Sequence, residues 1–191
     1  MNDRHIRAAL REELIRQHAE DHDTVIIEEF AIGHGASRAD IAVLNCALHG
    51  FEIKSDRDTL VRLPGQVRAY SEVFDRITLY VGYRRASEAF QIIPEWWGVL
   101  LVEMKSCGTI EFHPARESEA NPSVDIHALV SLLWRDEALG LLKEMKAAKG
   151  VQTKPRAMIY RRLVEVFDPS VLHTRVRQLL KSRTGWRSAA Q

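Results

Sequence analysis

The stretch GFEIKSDRDTL, residues 50–60, decides how this chain folds and where its chemistry lies. Phe51 and Ile53 are typical of a strand in the middle of a sheet. Side chains alternate between the two faces of a strand, so Glu52 and Lys54 share the face opposite to Phe51 and Ile53. An acid and a base held side by side on a strand need water, each other, or a third party such as a metal ion. The stretch therefore predicts a strand that carries an ionic or functional site.

Helix and strand patterns alternate around this strand. Ile6, Leu10 and Leu14 recur at helical spacing and predict a first helix over 6–19. Runs rich in β-branched residues, bounded by turn-forming residues, predict the strands of a sheet. The predicted strands cover 24–30, 39–47, 47–56, 76–83, 98–104 and 108–115. Two further helices are expected over 59–74 and 87–97, with a start near Pro64 as the alternative for the first of them. The order of helix, three strands, helix and strand indicates an α/β core with a mixed sheet.

From residue 122 onward the pattern is wholly helical. We therefore expect an α/β core over residues 1–120 and an all-helical extension over 121–191 that packs on the core. Trp134 stands at helical spacing among leucines, which predicts a core position for its ring. At least one tryptophan of the PEWWG segment (94–98) is expected to lie against the sheet, because a strand follows it at once.

The composition is ordinary for a globular protein, with 191 residues of which 46% are hydrophobic and 28% are charged. This length favours one main domain with a proper core. No apolar run approaches the roughly 20 residues of a membrane helix, and the early acids at the amino terminus are unlike a secretory signal. Cys46 and Cys107 lack CxxC spacing and predict two reduced thiols. These features favour a cytoplasmic protein without a membrane partner, while a homodimer or a protein partner stays open.

The net charge is only +1, but the charges are unevenly distributed. Residues 151–191 hold nine lysines and arginines against two acids, a local charge of +7, so the first 150 residues carry −6. A basic end on a mildly acidic body predicts a footprint for a polyanion such as DNA. A solvated helical surface is the alternative interpretation of the same charges.

Acidic residues recur on the first three predicted strands. Each alone is typical of a solvated strand end, but adjacent strands would bring them together at one edge of the sheet. Carboxylates packed together are costly unless a cation neutralises them. Gln66 and Tyr70 are four residues apart, so they share a helix face that can point back at the same place. The candidate residues are Glu28, Glu29, Asp40, Glu52, Lys54, Gln66 and Tyr70.

The ligand chemistry of this set favours a hard cation. Carboxylate oxygens without His or Cys spacing select Mg²⁺ or Mn²⁺ over zinc. Lys54 follows Glu52 by two residues and shares its face, so its ammonium group could orient a water or stabilise charge developing on a phosphate. The alternative is a plain Glu52–Lys54 ion pair on an exposed strand, worth about 0–1 kcal/mol. The apolar neighbours of the pair favour a cleft.

These motifs resemble those of the PD-(D/E)XK nuclease superfamily, whose core is helix, three strands, helix and strand. RAD at 38–40 supplies the aspartate, FEIK at 51–54 supplies the (D/E)XK element, and QVRAY at 66–70 matches the QxxxY motif of the exonuclease-like branches. Asp40 follows Ala39 rather than the proline of the superfamily's name, a common variation. Further blocks are similar to those of a small, poorly characterised bacterial family of this superfamily: RLPGQVRAYSEVFDRITLYVG (62–82), PEWWGVL (94–100), LLWRDEAL (132–139) and RTGWR (183–187).

The resemblance implies a restriction-endonuclease-like fold and metal-dependent cleavage of a DNA phosphodiester bond. Asp40 and Glu52 would bind Mg²⁺, for which Mn²⁺ would substitute, and the carbonyl of Ile53 is a further expected ligand. Lys54 would position or activate the attacking water. The implied catalytic set is Asp40, Glu52, Lys54, Gln66 and Tyr70.

Two assignments stay open. An upstream glutamate often completes such a site, and Glu29 is preferred over Glu28, with Glu12 or Glu13 on the first helix as alternatives. Arginines near the motifs and on the basic extension are candidates for DNA phosphate contacts, although surface ion pairing or a solvated loop is the alternative for those near the motifs. The candidates are Arg57, Arg62, Arg68, Arg161 and Arg162.

The sequence thus favours an Mg²⁺-dependent deoxyribonuclease that acts in DNA repair, recombination or defence. The alternative is a catalytically silent DNA-binding or partner-docking module of the same fold, and an RNA-directed enzyme is a third hypothesis. The motifs do not distinguish endonuclease from exonuclease action, nor do they reveal a preferred DNA structure or sequence.

Overall fold

The computed structural model describes residues 3–183, which form a six-stranded mixed sheet with helices on both faces. The strands are β1 (Val25–Ile32), β2 (Ser37–Leu44), β3 (Leu48–Lys54), β4 (Arg76–Gly82), β5 (Gly98–Met104) and β6 (Ile110–Arg116). The α-helices are α1 (Asp3–Gln17), α2 (Leu63–Ser71), α3 (Tyr83–Ile92), α4 (Ile126–Val130), α5 (Arg135–Glu144), α6 (Arg156–Val166) and α7 (Pro169–Ser182).

The strands lie in chain order across the sheet. Antiparallel pairing joins β1 to β2, β2 to β3, and β5 to β6, whereas β3, β4 and β5 are parallel. Parallel neighbours need a crossover, and α2 and α3 supply the two crossovers. The predicted order of helix, three strands, helix and strand and the mixed sheet of an α/β fold are therefore confirmed.

The sheet separates two hydrophobic cores. Phe51 and Ile53 pack with α1 on one face, as the alternation in GFEIK predicts. The opposite face is covered by α2, α3 and the carboxyl-terminal helices, and its core runs without a break from Leu48 on β3 to Leu180 on α7. The helical extension thus shares its core with the sheet. Glu52 and Lys54 point into this second side, and this burial makes their charges significant.

Three details of the sequence prediction need correction. Helix α3 starts at Tyr83 rather than at residue 87, because Asp56 Oδ1 accepts a hydrogen bond (3.0 Å) from the Arg84 amide at its first turn. Helix α2 starts at Leu63, next to Pro64 as the alternative start predicts, but it ends at Ser71 rather than at residue 74. Trp97 is buried as expected, but Trp134 is 57% exposed because it precedes α5 instead of lying within a helix.

Two further expectations concern the closing RTGWR block and membrane-spanning segments. Most of the RTGWR block lies outside the described residues, which end at Arg183. Within residues 3–183, no helix combines the length and the apolar character needed to cross a bilayer.

Candidate active site

The candidate site opens where β2 and β3 diverge. Backbone pairing between these strands stops at Ile41 and Phe51. Beyond that point the Ile53 amide donates to Asp40 Oδ2 (2.8 Å) instead of to a strand carbonyl. A cleft of about 890 Å³ begins at this gap. It is lined by six of the predicted metal-binding and catalytic residues, namely Glu29, Asp40, Glu52, Ile53, Lys54 and Gln66.

The side chains of Glu52 and Lys54 are almost completely buried, with exposed fractions of 2% and 5%. Glu52 Oε1 accepts from Lys54 Nζ and from Gln66 Nε2 (2.6 Å). Glu52 Oε2 lies 2.7 Å from the Tyr70 hydroxyl. Burying an ion pair requires that its remaining hydrogen-bonding capacity be satisfied, and Gln66 and Tyr70 do this. The exposed ion pair considered above is therefore excluded.

Helix α2 holds Gln66 and Tyr70 over Glu52 because the two residues are one helical turn apart. The Tyr70 hydroxyl also lies 2.5 Å from the Arg38 carbonyl on β2, so α2 links both sides of the gap. Burial and the Glu52 carboxylate raise the pKa of Tyr70 above its ordinary range, which keeps the hydroxyl protonated as a donor.

Asp40 is the electrostatic centre of the cleft. Its Oδ1 accepts from Arg7 Nη2 (2.5 Å), and its side chain is only 17% exposed. Burial and the nearby Glu52 carboxylate raise the pKa of Asp40 to about 7, although Arg7 and the Ile53 amide work in the opposite direction. The carboxylates of Asp40 and Glu52 therefore repel each other, and such a pair is typical of a site that binds a cation.

The structure places Glu29, rather than Glu28, at the cleft. Glu29 has a positive φ of 55°, and the alternation of β1 shifts by one residue at this point, because Ile27 before it and Phe30 after it lie in the same core. A left-handed backbone at a non-glycine residue is strained and is found frequently at functional sites. Glu28 instead pairs with Arg11 on α1 (3.0 Å).

The first-helix alternatives lie elsewhere. Glu12 and Glu13 line a different depression, next to Tyr80 on β4 and Phe112 on β6. Neither borders the cleft that holds Asp40.

Two of the five candidate arginines are at the cleft. Arg62, which directly precedes α2, and Arg68 on α2 line it, and both are exposed. Arg57 is exposed in the turn after β3 but is outside the lining. Arg161 and Arg162 do not reach the cleft: α6 buries Ile159 and Leu163, which turns both arginines toward Glu165 (3.9 and 3.2 Å). Both arginines lie outside the lining of the cleft, and their predicted contacts with DNA phosphates stay a prediction.

Sequence reasoning missed Arg7. Its guanidinium pairs with Asp3 (3.1 Å), with Asp40 and with Glu29, and these carboxylates raise the pKa of Arg7 despite its partial burial. The i, i+4 spacing of Asp3 and Arg7 signals an ion pair on a helix, but it does not show that α1 brings the pair to β2. Arg38, 3.4 Å from Glu29, was missed as well.

The sequence contains a second E-x-K triplet, which provides a contrast. Glu103 and Lys105 have the spacing of Glu52 and Lys54, and their charged atoms lie 2.8 Å apart. Their side chains are 41% and 38% exposed, and Lys105 also pairs with Glu111 (3.2 Å). Spacing alone therefore does not mark the site. Burial and the partners from α2 distinguish Glu52 and Lys54.

The donor set fits a hard divalent cation. Asp40 and Glu52 offer carboxylate oxygens, and the Ile53 carbonyl lies on the same strand edge as its amide, which faces Asp40. Gln66 Oε1 is buried and has no hydrogen-bond partner within residues 3–183, which leaves an acceptor for a metal-bound water. Only oxygen atoms are on offer, so the set suits Mg²⁺ or Mn²⁺ better than zinc.

Fold and site together define an α/β protein with a buried glutamate–lysine pair and a second carboxylate at an open cleft. The chain belongs to the family described as Bacteriophage P4 protein cII, which matches residues 1–190. Protein cII of Enterobacteria phage P4 is 27% identical over 122 residues, which are 64% of this chain and 46% of that protein. The match thus spans less than half of the relative's length.

One solved structure also overlaps with part of the chain. It is SfsA of Pyrococcus furiosus in complex with Ca²⁺, at a TM-score of 0.38 and 17% identity, covering 61% of this chain and 65% of that one. The overlap is too loose to define the fold, which is defined here by its own sheet.

Proposed function

We propose that this protein is a metal-dependent nuclease of the PD-(D/E)XK type that hydrolyses phosphodiester bonds in DNA. The observation that supports this best is the buried Glu52–Lys54 pair beside Asp40 at an open cleft. Burying a lysine next to two carboxylates removes these charges from water, which lowers the stability of the fold. A role in chemistry therefore explains the arrangement better than a role in stability. DNA is then the partner, and the cytoplasm is the expected compartment.

Each residue has a role in this proposal. Asp40, Glu52 and the Ile53 carbonyl would hold Mg²⁺, which when bound supplies charge neutralisation and a lower pKa for a coordinated water. Lys54 would orient the attacking water and stabilise charge that develops on the phosphate. Gln66 and Tyr70 would fix the Glu52 carboxylate by the hydrogen bonds described above.

The rim of the cleft suits a polyanion. Three exposed arginines border it: Arg38 on β2, Arg62 directly before α2, and Arg68 on α2. Contacts of this type hold the phosphate backbone without reading sequence. Binding should therefore weaken steeply as salt increases.

A second function is favoured by a different observation. The chain already neutralises its own carboxylates, since Arg7 pairs with Asp40 and Glu29 while Lys54 pairs with Glu52. Such a closed ion-pair network needs no metal, as expected for a silent DNA-binding or partner-docking module. The two functions differ in whether Mg²⁺ binds and whether DNA is cut.

The deciding experiment compares four proteins on linear, circular and branched DNA and on RNA, with Mg²⁺, Mn²⁺ or EDTA. They are the parent, Asp40→Asn, Lys54→Ala and the matched control Lys105→Ala, which removes a lysine from the exposed E-x-K triplet. Cleavage that requires metal and falls about 100-fold or more in Asp40→Asn and Lys54→Ala, but not in Lys105→Ala, supports the nuclease. Binding without cleavage in the parent supports the module. Preferential cleavage of RNA would redirect the assignment.

A further inference from the structure

A second groove lies next to the cleft. It encloses about 350 Å³, and its lining includes His34, Trp134 and Arg156; we call it the Trp134 groove. Gly35, in the short turn between β1 and β2, lines both the groove and the cleft. A polymer that leaves the cleft over this turn therefore enters the Trp134 groove directly.

Trp134 presents an aromatic surface to solvent. Its residue is 57% exposed, and the Arg183 guanidinium stacks on the ring 4.4 Å from its centroid. Arg183 is itself held by Glu137 (2.6 Å) and by the Leu132 carbonyl (2.7 Å). One face of the indole is therefore backed by a fixed cation, and the exposed fraction leaves room for a second planar group. Glu137 also fixes the backbone, because it accepts from the Trp134 amide (2.6 Å).

His34 adds a second exposed ring to the groove. It stands in the turn Gly33–Gly35 with a positive φ of 57°, and its ring lies nearly parallel to that of Tyr160, 6.1 Å between centroids and 17° between planes. Tyr160 is held in place by donating to the Leu133 carbonyl (2.7 Å). The groove thus offers two exposed rings, Trp134 stacked on Arg183 and His34 stacked on Tyr160.

The charge of the groove is positive. Arg156, at the first turn of α6, is exposed, and no ion pair engages it within residues 3–183. Two acids follow Trp134 in the sequence, and neither lines the groove. Glu137 is neutralised by Arg183, and the exposed Asp136 lies 3.9 Å from Arg135. Exposed rings together with an arginine match the chemistry of unpaired nucleotides, whose bases stack and whose phosphates need cations. A duplex keeps its bases stacked inside and cannot use the rings.

From these contacts we infer that the Trp134 groove binds a single-stranded DNA segment that continues out of the cleft. One base stacks on Trp134, another contacts His34, and Arg156 binds an intervening phosphate. This inference rests on the proposed function, because the bound strand is expected to lead from the groove to the proposed catalytic residues in the cleft. It names the substrate class as DNA with an unpaired end or flap.

The test measures binding alone, in EDTA, so that cleavage plays no part. A fluorescently labelled oligothymidine of 12 nucleotides is titrated with the full chain and with Trp134→Ala, Trp134→Phe, Arg156→Gln and Arg85→Gln. Arg85 is the matched control, an arginine on α3 that pairs with Glu88 (3.6 Å) and lines neither the groove nor the cleft. A blunt duplex and an oligouridine of equal length are the comparison ligands.

We expect Trp134→Ala to weaken binding of the oligothymidine on the order of ten-fold, since one stacked base is lost. Trp134→Phe should retain most of the affinity while losing the quenching of tryptophan fluorescence by the oligonucleotide. Arg156→Gln should weaken binding and reduce its salt dependence. Arg85→Gln should bind the oligothymidine like the parent, and binding of the duplex should be unchanged in all variants. An equal loss with oligouridine would extend the site to RNA.

Unchanged oligothymidine binding by Trp134→Ala and Arg156→Gln would overturn the inference, as would an equal loss in Arg85→Gln or with the duplex. Thermal unfolding of each variant identifies losses that come from misfolding, and Trp134→Phe then carries the test through its fluorescence. If the parent cuts no DNA but Trp134→Ala loses strand binding, the nuclease function is refuted and the single-strand site is supported. If the parent cuts DNA but Trp134→Ala and Arg156→Gln bind the strand like the parent, the single-strand site is refuted and the nuclease function is supported.

Discussion

Replacing Asp40 with asparagine should change how stability depends on pH. Burial and Glu52 raise the pKa of Asp40 from 3.8 to about 7 in the folded protein. Between these two pH values the folded state keeps a proton that the unfolded state has released, so stability falls as pH rises through this window. A shift of about three pK units corresponds to about 4 kcal/mol. The parent bears this cost at pH 8, and Asp40→Asn, which cannot ionise, does not.

The difference in unfolding free energy between Asp40→Asn and the parent should therefore grow by about 3–4 kcal/mol in favour of the variant from pH 4 to pH 8. Urea denaturation in EDTA at four pH values measures it. Asp136→Asn, at a side chain that is 97% exposed, controls for the chemistry of the substitution. A difference that stays constant with pH, or that turns against the variant at pH 8, would refute the electrostatic account of the cleft.

The same two proteins report on the metal. A ligand at 100 times its dissociation constant stabilises the folded state by about 2.7 kcal/mol. Mg²⁺ should stabilise the parent at pH 8 in this way and should leave Asp40→Asn unchanged, because the variant lacks the proposed ligand. Equal stabilisation of both proteins would remove Asp40 from the metal site.

Three further outcomes are expected. Tyr70→Phe should lower the unfolding free energy by about 1–2 kcal/mol in urea denaturation, because Glu52 loses a buried donor. Gly50→Ala should cost about 1–3 kcal/mol in the same assay, since its new methyl group would lie 2.9 Å from the ring of Phe74. Arg68→Gln should weaken DNA binding and flatten its salt dependence in anisotropy titrations, whereas an unchanged salt slope would place Arg68 outside the interface.

The sequence predicts the architecture well because local patterns determine most of it. Period-two and helical spacing place all six strands and the helices between them, and the fold class is confirmed by the mixed sheet. The boundaries of α2 and α3 are less accurate, since Asp56, from the turn after β3, caps α3 through a tertiary contact. Trp134 was predicted to be buried because helical spacing cannot show that the residue precedes its helix.

The site is only partly readable from the sequence. Glu52, Lys54 and Gln66, predicted from their spacing, lie together at the cleft, and Tyr70 contacts Glu52. Their roles in catalysis stay a prediction. The choice between Glu28 and Glu29 depends on one left-handed residue that reverses the alternation of β1, and no periodicity reports this. Arg7 was missed because its partners lie 22 and 33 residues away.

The E-x-K triplets at residues 52–54 and 103–105 show that burial, rather than spacing, makes a sequence motif into a candidate site. Glu103 and Lys105 share the spacing of Glu52 and Lys54, yet their side chains are 41% and 38% exposed, and they also pair with His113 and Glu111. At the first triplet, the divergence of β2 from β3 removes the neighbouring backbone, and α2 crosses above the gap with a glutamine and a tyrosine one turn apart. The chain thereby holds charges that are unfavourable for folding. Buried polar groups that lower the stability of the fold are expected at functional sites.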